Sequence, residues 1–185
     1  MLLLKHMIRS RKGVAAGLLS LSLFAFAGTA TGQTPATSNE VKAVFLYNFS
    51  RFVTWPPQAM NGSSNAFVIG ILGNDPFGNF LESVVEGEKV EGHPIVIRRY
   101  SDAEDVKTCH ILYINKRNAS GIAKDLQNRS ILTVSDADGF AKEGGMIRFS
   151  FVNNKIRLQI NAKTAKTANL TISSKLLRVA DVIDN

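Results

Sequence analysis

Between residues 66 and 134 the chain alternates short apolar runs with segments of helical spacing, and this alternation restricts the possible folds more than any other feature. Ala66 to Leu72 (AFVIGIL) is a continuous branched run between turn signals, as expected of a strand covered on both faces. Phe77, Phe80, Leu81, Val84 and Val85 then recur at helical spacing until Gly87 ends the helix. Pro94 to Ile97 reads as a second strand, Asp102 to Lys107 as a charged connection, and Ile111 to Ile114 as another buried strand. Ile122 to Leu126 follows as a short helix and Ile131 to Val134 as a further strand. Strands joined through helices need crossover connections, so the sheet is expected to be mainly parallel.

The period changes to two after Gly144-Gly145. Ile147, Phe149 and Phe151 alternate with Arg148 and Ser150, and beyond Asn153-Asn154 Ile156, Leu158 and Ile160 alternate with Arg157 and Gln159. That is an antiparallel hairpin with one buried face, turning on asparagines that tolerate positive φ. Asn161 to Ala168 and Ser173 to Val182 read as short helices, the second capped by its serines.

Upstream, Asn39 to Pro57 is the best-patterned helix. Val41, Val44, Phe45, Leu46, Phe49, Phe52 and Val53 share one arc at about 100° per residue, with Tyr47, Ser50, Arg51 and Thr54 opposite. Thr37 and Glu40 have capping-box spacing, and Pro56 forces Trp55 out of helical geometry, so the helix should end near Thr54. Lys42 and Asn48 interrupt the arc. The lysine can extend its ammonium to water, whereas Asn48 in mid-stripe is expected to be buried and bonded to a backbone group beside the helix exit.

The first 32 residues read as a signal peptide preceding a flexible spacer (33–38) and a single domain (39–185). Lys5, Arg9, Arg11 and Lys12 precede an apolar run from Gly13 to Ala27, and small residues follow at Gly28, Ala30 and Gly32. The run falls short of the roughly 20 residues of a spanning helix, so no membrane insertion is expected after cleavage. That segment holds four of the 22 basic residues and none of the 15 acidic ones, which reduces the net charge from +7 to about +3 after removal. With no basic run interleaved with aromatics, nucleic acid is not an expected partner. Cys109, the single cysteine, opens the apolar run CHILYI and is expected as a buried free thiol.

No catalytic set assembles from the remaining residues. Gly70, Gly73 and Gly78 fit neither a dinucleotide fingerprint nor a Walker A loop, and Asp75-Pro76 is explained by a turn before a helix. Asp136-Ala137-Asp138-Gly139 begins like a calcium loop but places Phe140 and Ile147 where oxygen ligands are required. His93 and His110 form no helical zinc pair, and no strained serine elbow occurs. Catalytic, cofactor and metal sites are therefore not expected, and a binding or regulatory role is.

Five segments in order carry a family resemblance across nearly all of this domain: VKAVFLYNFSRFVTWP, FVIGILGNDPFG, CHILYI, ILTVSDADGFAKEGGMIRF and the closing residues Ile160 to Ala180. Together they resemble the YfiR-like family of exported bacterial proteins. The resemblance implies an α/β, Rossmann-like three-layer domain with a mixed, mainly parallel sheet and a C-terminal antiparallel hairpin, located in the periplasm. It implies a repressor that binds the periplasmic region of an inner-membrane diguanylate cyclase and so controls cyclic di-GMP and biofilm formation. A homodimer is compatible with the family. The characterised relative has cysteines for internal disulfides; with Cys109 alone, redox control through an internal bridge is not open to this chain.

The helix exit, Arg51 to Pro56, belongs to the resembling segments. Arg51, Trp55 and Asn48 are accordingly the candidate ligand- or partner-binding residues, since an aromatic beside a guanidinium suits a small aromatic acid. The competing reading has Trp55 packed on the sheet and Arg51 in solvent. A small-molecule sensor without a cyclase partner is the alternative function.

Overall fold

Strand β2 (Phe67–Gly73) lies within the sheet, with six of its seven residues buried. The computed structural model describes residues 36–60, 65–153 and 155–183, within one compact unit that starts at Pro35. The expected signal peptide, residues 61–64 of the loop after the helix exit, and Asn154 of the hairpin turn lie outside these residues.

In chain order the elements are α1 (Ser38–Phe52), β1 (Val53–Thr54), α2 (Pro57–Met60), β2, α3 (Asn79–Val85), β3 (Lys89–Val90) and β4 (His93–Tyr100). A 3-10 turn (Ala103–Asp105) leads to β5 (Ile111–Asn115), α4 (Ala119–Asp125), β6 (Leu132–Ser135), β7 (Ile147–Val152) and β8 (Lys155–Ile160). The chain continues through α5 (Ala162–Thr167), β9 (Thr171–Ile172), α6 (Ser174–Leu177) and β10 (Asp181–Val182).

Strand order in the main sheet is β10-β8-β7-β6-β5-β2-β4-β3. β4, β2, β5, β6 and β7 are parallel neighbours, β7 and β8 form the antiparallel hairpin, and β3 pairs antiparallel to β4. The sheet is thus mixed and mainly parallel, in a three-layer α/β arrangement. Its first parallel strand lies between the second and the third, so the chain winds both ways from β2 and creates a switch point at the carboxyl ends of β2 and β5. β1 pairs with β9 in a separate two-stranded sheet. These two-residue strands have no sequence period of their own, and neither the pairing nor α2, β3 and β10 was expected. The helix expected through Val182 stops at Leu177, and its last residues instead form β10 beside β8.

Alternate residues of each central strand divide the core in two. Phe67, Ile69, Ile71, Ile111, Tyr113, Leu132 and Val134 meet α1, α3, α5 and α6, while Val68, Leu72, Leu112 and Ile114 meet α4 and the segments carrying Val106 and Phe140. Gly70 sits on the second face where no side chain fits: a Cβ there would lie 2.8 Å from both Cys109 Sγ and the Tyr100 ring. Gly73 closes β2 at φ +91°, with the Asn115 carbonyl against the place a Cβ would occupy.

α1 forms its expected N-terminal cap, ends at Phe52, two residues before the expected stop near Thr54, and changes its phase. The Thr37–Glu40 capping box forms in both directions, and Val53 is already extended. The buried stripe, however, is Ala43, Leu46, Phe49 and Ser50, and Val44 is 41% exposed. Its centre lies about a quarter turn from the expected arc, at 100° per residue. Ser50 tolerates burial because its hydroxyl donates to the Tyr47 carbonyl (2.6 Å). Lys42 belongs to the inward face because its ammonium meets the Asp136 carboxylate instead of extending to water. Asn48 corrects the expectation made for it: it is half-buried, and among the described residues its amide makes no bond to a backbone group beside the exit. The quarter-turn shift takes it off the core.

Candidate functional site

α1 crosses one face of the sheet from the carboxyl edge of the parallel strands, where Lys42 meets Asp136, to the amino edge, where Trp55 meets His110. Each end builds a different surface.

At the amino edge, Pro56 turns the chain and drives Trp55 inward to 6% exposure. Its indole meets Phe67 edge-on at 4.9 Å, and Nε1 donates to the His110 carbonyl (3.2 Å). His110 is buried and stacked on Phe67 at 4.5 Å. Its Nδ1 accepts the Val68 amide (2.9 Å) and its Nε2 donates to the Ala59 carbonyl (3.1 Å). An imidazole with one nitrogen accepting a main-chain N–H is neutral, and burial further depresses its pKa. His110 therefore acts as a clamp between β2, β5 and α2 with no ring nitrogen left for a ligand.

Arg51 is exposed, and together with Trp55, Ser50, Met60, Lys89 and Glu91 it lines a pocket of about 310 Å³ at the exit. Two of the three candidate residues thus share one concavity, in which Trp55 offers little surface. Asn48 is not part of its lining. Cys109 is buried nearby, its thiol donating to the Ile111 carbonyl (3.0 Å) and pushed up to about 12 chiefly by burial. A thiol with that pKa holds almost no thiolate at neutral pH.

The carboxyl edge, where ligands bind in doubly wound folds, is filled by the chain's own charges. Asp75 Oδ1 accepts the Phe77 amide (2.7 Å) while Oδ2 pairs with Arg99, which also reaches Glu82 and the Gly78 carbonyl. A backbone donor that a phosphate would need at this turn is thus taken by a carboxylate. Beyond β6, Asp136 pairs with Lys42 and Asp138 with Arg148, so both acids of the calcium-like stretch serve ion pairs. Tyr113 lies beneath, and burial together with the Asp136 charge raises its phenol pKa. The Lys42–Asp136 pair spans 94 positions. A lysine within an apolar arc was the only sequence signal for it, and that signal does not name a partner.

Beside this edge lies a surface that residue spacing alone does not single out. β7 aligns with β6 only through Ile147 and Arg148, so Phe149 to Val152 and the start of β8 extend past the parallel strands as an arm. Phe151 and Val152 on that arm are 60% and 48% exposed. Between the arm and α1 run two adjoining pockets of about 490 Å³ each, which share Ser38, Phe151 and Ile156. One adds Val41 and Phe45; the other adds Lys42, Asp136 and Arg148. Val41, Val44, Phe45, Asn48 and Phe52 follow i, i+3, i+4, i+7, i+11 spacing along this flank of α1. The apolar arc read from the sequence is therefore wider than the fully buried stripe: Val41 and Phe45 line this groove, Phe52 packs at the edge of the core and Val44 is exposed.

No helix among the described residues is long and apolar enough to cross a membrane. No curated protein matches the chain closely enough to count as a relative. Residues 39–181 match the family model described as YfiR/HmsC-like, and the chain belongs to that family.

Proposed function

We propose that this protein is a periplasmic regulatory domain that acts by binding, and that it represses an inner-membrane diguanylate cyclase by holding that enzyme's periplasmic region. Family membership supports the class of partner. The observation that carries the reading is the exposure of Val44 on α1 and of Phe151 and Val152 on the arm, beside a groove lined by Val41, Phe45 and Ile156. Exposed, contiguous apolar surface with a charged rim is characteristic of sites that bind protein partners. Here the rim is supplied by Lys42–Asp136 and Arg148–Asp138, and the heptad-like spacing on α1 suits an apolar helix of the partner. Asn48, at the centre of that flank, then contacts the partner and favours one register over its neighbours.

A pull-down from detergent-solubilised membranes with the tagged protein tests this. A membrane protein with a diguanylate cyclase domain should be retained by the wild type and lost with Val44→Glu. Absence of any such cyclase from the wild-type eluate counts against the reading.

The exit pocket supports a second reading, a small-molecule sensor, because Arg51 and Trp55 share its lining. A metabolite panel that quenches Trp55 fluorescence in the wild type but not in Arg51→Ala would favour it.

A further inference from the structure

Only some of the cations in this domain are paired with a carboxylate. At the carboxyl edge Lys42, Arg99 and Arg148 each have a carboxylate, while Lys116 and Arg117, exposed just after β5, have none within ion-pair distance among the described residues. At the amino edge Lys107 and Arg129 have none within ion-pair distance among the described residues, and they line one pocket of about 340 Å³ with Thr108, Ser130 and Gln58. That lining contains no acidic residue. Asp102, Glu104 and Asp105 lie on the preceding turn and are exposed outside it.

The pocket has fixed parts. His110 forms part of its wall in the neutral, doubly bonded state described above, so it brings neither a positive charge nor a free nitrogen. One terminal nitrogen of Arg129 donates to the Lys107 carbonyl (2.7 Å), which anchors the guanidinium on the Lys107 backbone and leaves its other N–H groups without a protein acceptor among the described residues.

We infer that this amino-edge pocket binds a phosphate oxyanion, with Arg129 and Lys107 as the cationic ligands and the Thr108 and Ser130 hydroxyls as further donors. A planar guanidinium fork, an ammonium and two hydroxyls in one pocket lining are the donor types that suit a tetrahedral anion. The pocket volume admits a phosphate with a short substituent, so the same chemistry could come from a free phosphate ester or from a phospholipid headgroup. This site is separate from the apolar groove, which lies at the opposite edge of the sheet.

The test uses two probes: inorganic phosphate followed by calorimetry at low ionic strength, and co-sedimentation with phosphatidylglycerol vesicles against phosphatidylcholine vesicles. Phosphate should bind the wild type, and the double variant Lys107→Gln/Arg129→Gln should lose at least about tenfold in affinity, since each charge-assisted contact contributes on the order of tenfold. Unchanged thermal unfolding of the variant shows that it is folded. Sedimentation of the wild type with phosphatidylglycerol only, lost in the double variant, identifies the headgroup as the source; phosphate binding without sedimentation identifies a soluble phosphate. Failure of the wild type to bind either probe overturns the inference, and so does equal binding by the double variant.

Discussion

His110 shows how much one side chain can decide in this fold. Because its Nδ1 accepts the Val68 amide, a proton there would set two N–H groups against each other in a buried space, and His93 adds a like charge when it is protonated. The folded-state pKa is depressed below the unfolded value of about 6.5, so the unfolded chain binds the extra proton first. Stability is therefore full above about pH 6.5 and declines as the pH falls through that value. Urea unfolding from pH 8 to 5 should show this decline, with a shallower slope in His110→Asn. Gly70→Ala should destabilise by about 1–3 kcal/mol, since its Cβ would meet Cys109, Tyr100 and Leu112 at 2.8–2.9 Å; equilibrium denaturation measures it. Cys109 should resist iodoacetamide in the native protein and react rapidly in urea, as a buried thiol with a pKa of about 12 requires. The sequence placed Cys109 in the interior through its apolar neighbours, but gave no sign that His110 bridges three elements.

At the scale of elements, legibility followed period. The buried runs of β2, β5 and β6 and the two-residue period of β7 and β8 were readable because each is set by its own side chains. β1, β9 and β10 were not, since a two-residue strand exists only where a distant segment offers its hydrogen bonds. The N-terminal cap of α1 was readable from local chemistry, whereas its end at Phe52 depends on the pairing of Val53–Thr54 with β9; Thr37→Ala should cost about 1 kcal/mol through loss of the capping box, measurable by thermal unfolding. The phase of α1 was not, because hydrophobicity counts Lys42 as outward and Val44 as inward. Breaking the Lys42–Asp136 pair with Asp136→Ala should cost about 1–2 kcal/mol in denaturant unfolding, less than a fully buried pair because the carboxylate keeps 39% of its surface in solvent. The same shift in phase separates the candidate residues, leaving Arg51 and Trp55 at the exit pocket and Asn48 on the flank of α1.

For the whole molecule, the two edges of the sheet have diverged. The carboxyl edge carries its own ion pairs and, beyond them, presents an apolar groove; the amino edge is clamped by Trp55 and His110 and keeps two cations that have no carboxylate partner among the described residues. A doubly wound sheet whose usual ligand edge is occupied by its own side chains suits a domain that acts by docking. A mainly parallel sheet was accessible from the alternation of strands and helices, whereas its doubly wound order depends on which strands pair at a distance, and the groove required knowing which flank of α1 the core leaves partly uncovered. The most direct test is the cyclic di-GMP level in a deletion strain complemented with wild type or with Phe151→Glu, an exposed position where a charge should not disturb folding. The deletion is expected to raise cyclic di-GMP, the wild type to lower it again, and Phe151→Glu to accumulate normally yet leave it high. An unchanged level in the deletion strain, or full repression by Phe151→Glu, would contradict the account.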